Sequence, residues 1–168
     1  MYVRRLELTN YRNFGKLSLD LADGPVVFHG ENGHGKSNLL EAVELLAAAK
    51  SSRAGSDREL INWSALQAGS LEPFTRVRGT INRGGQDVRA EILVQADALV
   101  ASQRTVDRSS GTLVDRPSGT LAASKRFRVN GVARRALEFV GTINAVAFSP
   151  EDVSWWRGRP AADVTIST

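Results

Sequence analysis

Residues 30–37 carry the stretch that decides the fold, Gly30-Glu31-Asn32-Gly33-His34-Gly35-Lys36-Ser37. This stretch fits the pattern G-x-x-x-x-G-K-[ST] at every required position, and that pattern is typical of a phosphate-binding loop between a strand and a helix. The apolar run Val26-Val27-Phe28 precedes it, and an amphipathic stretch from Asn38 to Ala49 follows. The order predicts a nucleoside-triphosphate site at the end of a buried central strand, 26–28, of an α/β sheet.

The residue types of this loop suit a polyphosphate. Gly30, Gly33 and Gly35 let the backbone curl around an anion, and the following helix directs unpaired N–H groups and its positive dipole end at it. Lys36 supplies a flexible charge for the β and γ phosphates, while the hydroxyl of Ser37 is placed to ligate Mg²⁺. The alternative is a glycine-rich surface turn with an exposed lysine, and the flanking strand and helix count against it.

Composition predicts one ordinary globular domain. The chain has 168 residues, of which 42% are hydrophobic and 24% charged. It has no cysteine, which excludes a disulfide framework and a thiolate metal site, and its two histidines lie too near the phosphate loop to indicate zinc. Nowhere do 18 or more apolar residues run together. We therefore expect a cytoplasmic protein without a membrane partner.

The charge balance leaves two interpretations open. A net charge of +4 arises from 22 basic residues against 18 acidic ones. Arginine forks bind phosphates bidentately, so a DNA partner fits this balance. The basic groups are short and scattered, however, and a solvated surface explains them as well.

Periodicity predicts strands around one long helix. Leu6 and Leu8, and then Leu17, Leu19 and Leu21, alternate with polar residues. A stripe of Leu39, Val43, Leu46 and Ala47 predicts a helix that ends near Lys50, with Glu41 and Glu44 between the stripe residues. Alternating runs on either side of 83–87 predict a β-hairpin, and Asn130-Gly131 predicts another. Residues 97–124 are rich in Ser, Thr, Gly and Arg and predict a flexible insertion, whose arginines either follow DNA or are simply solvated.

Five spaced segments carry a resemblance. They are LTNYRNF at 8–14, HGENGHGKSNLLEAVELLAAAKSSR at 29–53, RELINW at 58–63, KRFRVNG at 125–131 and VAFSPEDV at 146–153. Together they resemble the RecF family of SMC-like ATPases over residues 1 to about 160. The phosphate loop alone would indicate only a large superfamily, whereas the spaced set is specific to RecF.

The resemblance implies a fold and a function. The implied fold is α/β: a P-loop NTPase, ABC-type half-head with a mixed sheet, an antiparallel β layer and a long helix after the loop. Residues 1–160 would form the ATP-binding lobe, and 161–168 a divergent or truncated tail. The family binds ATP with Mg²⁺, dimerises on ATP, and binds single- and double-stranded DNA at gaps as a weak DNA-stimulated ATPase. With RecR and RecO it assists RecA loading in recombinational repair and the SOS response.

Site residues follow by matching the family motifs. The loop residues 30–37 would bind the nucleotide, and Arg12 and Asn13 match an N-terminal element that lies near the phosphates. A surface arginine at a strand end is the alternative for Arg12. Asn32 and Asn38 are weaker candidates for orienting phosphate or water. The segment Ser149-Pro150-Glu151-Asp152 matches a polar stretch near a Q-loop, or its two acids cap a helix.

The sequence departs from the family pattern after residue 160. It ends at Thr168 without an ABC signature or a Walker B strand, so we expect this chain to bind ATP, and its catalytic residues remain unassigned. Two alternatives to a RecF-like protein stay open. One is another SMC-like or ABC-type ATPase, and the other is a non-catalytic fragment that binds DNA or protein.

Overall fold

An antiparallel sheet of six strands organises the chain. The computed structural model describes residues 1–67, 73–96, 104–106, 113–115 and 123–147. The strands are β1 (Tyr2–Tyr11), β2 (Phe14–Asp20), β3 (Phe74–Arg83), β4 (Gln86–Ala96), β5 (Arg104–Val106), β6 (Leu113–Asp115), β7 (Ala123–Val129) and β8 (Val132–Arg134). The helices are α1 (Lys36–Ala48), α2 (Trp63–Gln67) and α3 (Ala136–Phe139), with a 3₁₀ helix at Asp57–Leu60.

The sheet runs in the order β2-β1-β3-β4-β7-β8, with every neighbouring pair antiparallel. Both predicted hairpins are confirmed. The β3–β4 turn places Gly84 and Gly85 at φ 60° and 85°, and the β7–β8 turn places Asn130 and Gly131 at φ 51° and 81°. Positive φ at both central positions matches the right-handed twist of the strands, which explains why these sequences form tight hairpins.

Helix α1 covers one face of the sheet, and of its predicted stripe Leu39 and Leu46 are buried whereas Val43 and Ala47 are only partly buried. Its buried apolar residues Leu39, Ala42, Leu45 and Leu46 join a core built from the inward residues of β1, β3 and β4. Gly79 on β3 permits the close approach of the helix, because a Cβ there would lie 2.8 Å from the Leu46 Cδ1 atom. The opposite face of the sheet carries no buried side chains among the described residues.

The predicted central strand at 26–28 is wrong, and with it the mixed sheet. Residues 25–31 have no assigned secondary structure, and Val26 and Val27 are 44% and 80% exposed. A strand exists only through hydrogen bonds to a neighbour, and no strand among the described residues pairs with this run. The run is therefore irregular, with Val26 and Val27 exposed and Phe28 packed against the edge of the core, and the observed sheet is purely antiparallel.

The segment 97–124 is described only in part. Strands β5 and β6 form an antiparallel pair there, which the sequence did not predict. Ala123 and Ser124 already belong to β7, so the predicted insertion ends two residues too late. Apart from these strands, its residues lie outside the described ranges, as do Glu151, Asp152 and the predicted tail 161–168. Within the described ranges, no helix is long and apolar enough to cross a bilayer.

Candidate nucleotide site

The phosphate loop ends on the N-terminus of α1. Gly30, Gly33 and Gly35 all have positive φ, at 143°, 86° and 93°, so the loop has the curled backbone predicted for it. Gly35 occupies the N-cap position and has no side chain with which to cap the helix, and the first turn holds no acidic residue. The backbone N–H groups of Lys36 and Ser37 find no acceptor in the described part of the chain. The helix thus presents unpaired donors and its positive dipole end to an anion.

Lys36 folds back over the loop. Its ammonium donates to the carbonyl oxygens of Gly30 and Glu31, each at 2.7 Å. An ammonium has three N–H donors, so one remains for a ligand. The positive charge is therefore held at the loop, where a polyphosphate would lie against the same N–H groups. Ser37 is exposed at the start of α1.

The turn between β1 and β2 packs directly against the end of the loop. A Cβ at Gly35 would lie 2.5 Å from the Phe14 ring and 2.6 Å from the Asn13 amide. The Asn38 amide donates to the Asn13 Oδ1 atom at 2.8 Å. The structure therefore brings Asn13 and Asn38, both candidates from the sequence, to the start of α1.

Arg12 is not a free surface arginine. Its side chain is 19% exposed and forms a bidentate pair with Glu41, with Nη2 to Oε1 at 2.6 Å and Nε to Oε2 at 3.0 Å. A third donor, on Nη1, reaches the Glu59 carbonyl oxygen at 3.0 Å. A guanidinium has five N–H donors. Two of them therefore stay available to a ligand while the fork is held.

Glu41 is a site residue that the sequence analysis missed. Its side chain is 0% exposed, and besides Arg12 it accepts a hydrogen bond from the Ser51 hydroxyl at 2.5 Å. The Arg53 guanidinium lies 3.8 Å away. Burial alone would raise the pKa of Glu41, but the hydrogen bonds from Arg12 and Ser51 and the positive charges of the two arginines lower it overall. The available signal was its i, i+4 spacing to Leu45, which places Glu41 on a buried line of the helix.

A cavity of about 590 Å³ opens beside these residues. Its lining includes Arg12, Asn13, Asn38, Arg53, Ile61 and Trp63. Trp63 lines the cavity together with these amides and guanidinium groups, and 68% of its surface is exposed. That combination of an apolar face with several polar groups is typical of a small-molecule site.

The RELINW segment forms the far wall of this cavity because β1 holds it in place. The Arg12 N–H donates to the Leu60 carbonyl at 2.9 Å, and the Asn62 N–H donates to the Asn10 carbonyl at 2.7 Å. The Asn62 amide also donates to the Arg12 carbonyl at 2.6 Å. In the sequence this segment carries only a family resemblance, and its place beside the cavity follows from the fold.

The contact between Gly35 and the β1–β2 turn yields a testable prediction. Gly35→Ala should destabilise the protein by roughly 2–4 kcal/mol, because it combines a side chain at positive φ with steric overlap in a packed region. Gly33→Ala is the matched control, since φ is 86° there but a Cβ would meet nothing within 4 Å. It should cost about 1–2 kcal/mol. Urea unfolding measures both, and equal losses would contradict the packing argument.

Comparison with known proteins gives the family of the chain. Residues 5–122 match the model of a family described as an AAA domain. The DNA replication and repair protein RecF of Chloroflexus aurantiacus is 35% identical over 99% of this chain and 40% of its own length. The RecF protein of Herpetosiphon aurantiacus is 36% identical over 99% of this chain and 41% of its own length. A solved structure of the recombination mediator protein RecF with ATP, described as part of the RecFOR pathway, superposes with a TM-score of 0.64. It is 26% identical and covers 91% of this chain and 34% of that one.

These matches assign the chain to a class of proteins and, within that class, to a family. The chain belongs to the AAA domain family and forms part of a P-loop ATPase head. Within that class it is a homologue of RecF, the bacterial DNA replication and repair protein, over the N-terminal 40% or so of the RecF sequence. It spans about 40% of the length of the curated relatives it matches.

Proposed function

We propose that this chain binds ATP together with Mg²⁺ as part of a RecF-like protein of DNA replication and repair. One observation carries the proposal. The uncapped N-terminus of α1 and the Lys36 ammonium meet at a loop whose glycines have positive φ. Main-chain donors, a helix dipole and a fixed cation together form the electrostatic arrangement that a triphosphate requires.

The bound nucleotide would lie along the loop and extend into the cavity. The phosphates would contact residues 30–37, and the two unpaired N–H groups of Arg12 would face them from the cavity wall. Ser37 would ligate Mg²⁺, which neutralises charge between the phosphates. The nucleoside would enter the cavity beside Asn13, with Trp63 as the surface for its base. Calorimetric titration of the full chain with ATP, with and without Mg²⁺, tests this assignment, and the absence of any heat of binding would overturn it.

We also propose DNA binding, which one face of the sheet supports. On the face opposite α1, the strand registers align Lys16, Thr9, Arg76, Leu93 and Arg126 in one row across five strands. Lys16, Arg76 and Arg126 alternate with uncharged residues, at spacings of about 10 Å set by two inter-strand distances. None of the three has a carboxylate partner in the described ranges. A row of uncompensated cations attracts a phosphate backbone.

The neighbouring row on the same face is neutral. Arg78 pairs with Glu91 at 2.6 Å and with Glu7 at 3.8 Å, and Arg128 lies 3.6 Å from Glu91. Arg126 and Arg128 are thus two exposed arginines on one strand and one face, of which the first is unpaired and the second is ion-paired. They form a natural matched pair for a binding test.

Arg126→Ala should weaken DNA binding and reduce its salt dependence. Loss of one phosphate contact lowers the slope of log K against log salt by about 0.9 for duplex DNA and about 0.7 for a single strand. Arg128→Ala should change the slope by clearly less, because Glu91 already compensates its charge. Fluorescence anisotropy with a random-sequence duplex and a random-sequence single strand provides the measurement. Equal slope changes in the two variants, or no binding at low salt, would contradict the assignment.

The remaining roles are proposed from the RecF relationship. They are cytoplasmic action at DNA gaps, ATP-dependent dimerisation, and cooperation with RecR and RecO in RecA loading during recombinational repair and the SOS response. ATP binding without DNA binding would reject the DNA-binding role of this chain and leave its ATP site in place. DNA binding that persists unchanged when ATP binding is abolished would favour a non-catalytic interaction fragment.

A further inference from the structure

We infer that Glu41 is a positioning residue for the nucleotide site, and that it acts by fixing the guanidinium of Arg12 on the wall of the cavity. This inference rests on the proposed ATP site. Glu41 itself lies behind the wall, because its side chain is fully buried and does not line the cavity. Whatever it contributes to nucleotide binding must therefore pass through the groups that it holds.

The geometry of the pair leaves Arg12 little freedom. Both carboxylate oxygens accept hydrogen bonds from the fork, and the Glu59 carbonyl holds a third donor. The plane of the guanidinium is therefore fixed by contacts to α1 on one side and to the 3₁₀ helix on the other. The two remaining N–H groups have a defined direction before any ligand arrives. A preorganised donor costs a ligand less ordering entropy than a mobile one.

The carboxylate is itself held in place. The Ser51 hydroxyl donates to Oε1 and, as an acceptor, receives the backbone N–H groups of Arg53 and Ala54, each at 3.0 Å. Ser51 thus ties the segment after α1 to Glu41. Arg53 lies in this segment and also lines the cavity. Its guanidinium donates to the Asn38 Oδ1 atom at 3.3 Å. One buried carboxylate therefore connects the β1–β2 turn, α1 and the 51–54 segment, all of which border the cavity.

Positioning and simple charge make opposite predictions for Glu41→Gln. This substitution keeps the size of the side chain but removes a negative charge near a polyphosphate. If only the field of the carboxylate mattered, ATP affinity would rise, because repulsion would fall. If Glu41 acts by orienting Arg12, ATP affinity should fall roughly 3- to 10-fold, which corresponds to one well-placed hydrogen bond. The direction of the change is the first readout.

A double-mutant cycle measures whether the effects of Glu41 and Arg12 on ATP affinity are coupled, which a purely structural role of Glu41 does not predict. ATP affinity in the presence of Mg²⁺ is measured calorimetrically for the full chain and for Glu41→Gln, Arg12→Ala and the double variant. If Glu41 acts through Arg12, the double variant should match Arg12→Ala to within about twofold. Glu44→Gln is the control, because this acid of the same helix bonds Ser52 and does not line the cavity. It should leave affinity unchanged.

A second variant, Arg12→Lys, tests the inference even if Glu41→Gln fails to fold. Arg12→Lys keeps the positive charge but cannot span both oxygens of the carboxylate. It should lower ATP affinity to the same extent as Arg12→Ala if placement is decisive. Additive losses in the cycle, unchanged affinity in Glu41→Gln, or full affinity in Arg12→Lys would each overturn the inference. Lys36→Ala in the same series distinguishes failure of the Glu41 inference from failure of the ATP site. An unchanged ATP affinity in Lys36→Ala would reject the ATP site itself.

Discussion

Lys36→Ala is expected to weaken binding of ATP with Mg²⁺ by roughly 10- to 150-fold, because hydrogen bonds to charged groups contribute about 1.5–3 kcal/mol. The ammonium lies 2.7 Å from two carbonyl oxygens of the phosphate loop, so its removal takes the only side-chain cation bonded to that loop among the described residues. Isothermal titration calorimetry on the full chain gives the affinities directly. The loss should be larger for ATP than for ADP, because the lysine serves the β and γ phosphates.

Lys50→Ala is the matched control for this experiment. Lys50 is exposed just beyond the other end of α1, so the variant changes the net charge equally without touching the loop. Its ATP affinity should equal that of the unsubstituted chain. Comparable losses in both variants would mean that the effect is a general one of net charge, and the proposed site would then be rejected.

Glu41→Ala is expected to lower the free energy of unfolding by about 3–5 kcal/mol, because breaking a buried ion pair leaves its partner uncompensated. Arg12 would lose its bidentate partner in a position that is only 19% exposed, and Ser51 would lose its acceptor. Urea unfolding measures the change. Glu44→Ala is the control on the same helix, where a single hydrogen bond to Ser52 is exposed. It should cost less than about 1 kcal/mol.

The pH dependence of stability gives this prediction a second readout. The pKa of Glu41 in the folded chain lies below its ordinary value of 4.5. Its contribution to stability is therefore complete above pH 4.5 and is lost as pH falls through the lower folded value. Glu41→Ala should flatten that acid limb. An unchanged acid limb would show that other carboxylates account for it.

The sequence predicted the local structure that depends on local chemistry. The phosphate loop, the helix that follows it and the tight hairpins at Gly84-Gly85 and Asn130-Gly131 require particular residue types at fixed spacings, and all are present. The resemblance to RecF is confirmed by relatives and by a solved structure. The roles assigned to Arg12, Asn13 and the loop in binding a nucleotide remain predictions.

Features that depend on partners distant in sequence could not be predicted. The run 26–28 has the composition of a buried strand, but composition does not supply the neighbour to which a strand must bond. Glu41 looks like a solvated acid when only its helix is considered. Its burial depends on Arg12, 29 residues earlier, and on Ser51, ten residues later. The sequence contains both partners without indicating that they meet.

The pairing of β1 with β3 affects how fast the chain folds. Strand β1 pairs with β2 across a two-residue turn, but it also pairs with β3 in a register that joins Tyr2 to Asn82. The phosphate loop and α1 lie within the excursion that this second pairing closes. The conformational entropy of closing so long a loop is lost before the packing contacts form, and non-local pairing of this kind therefore slows folding. A nascent chain can therefore form its first hairpin at once, whereas β3, whose Gly79 packs against Leu46 of α1, joins the sheet only after residue 83 has been synthesised.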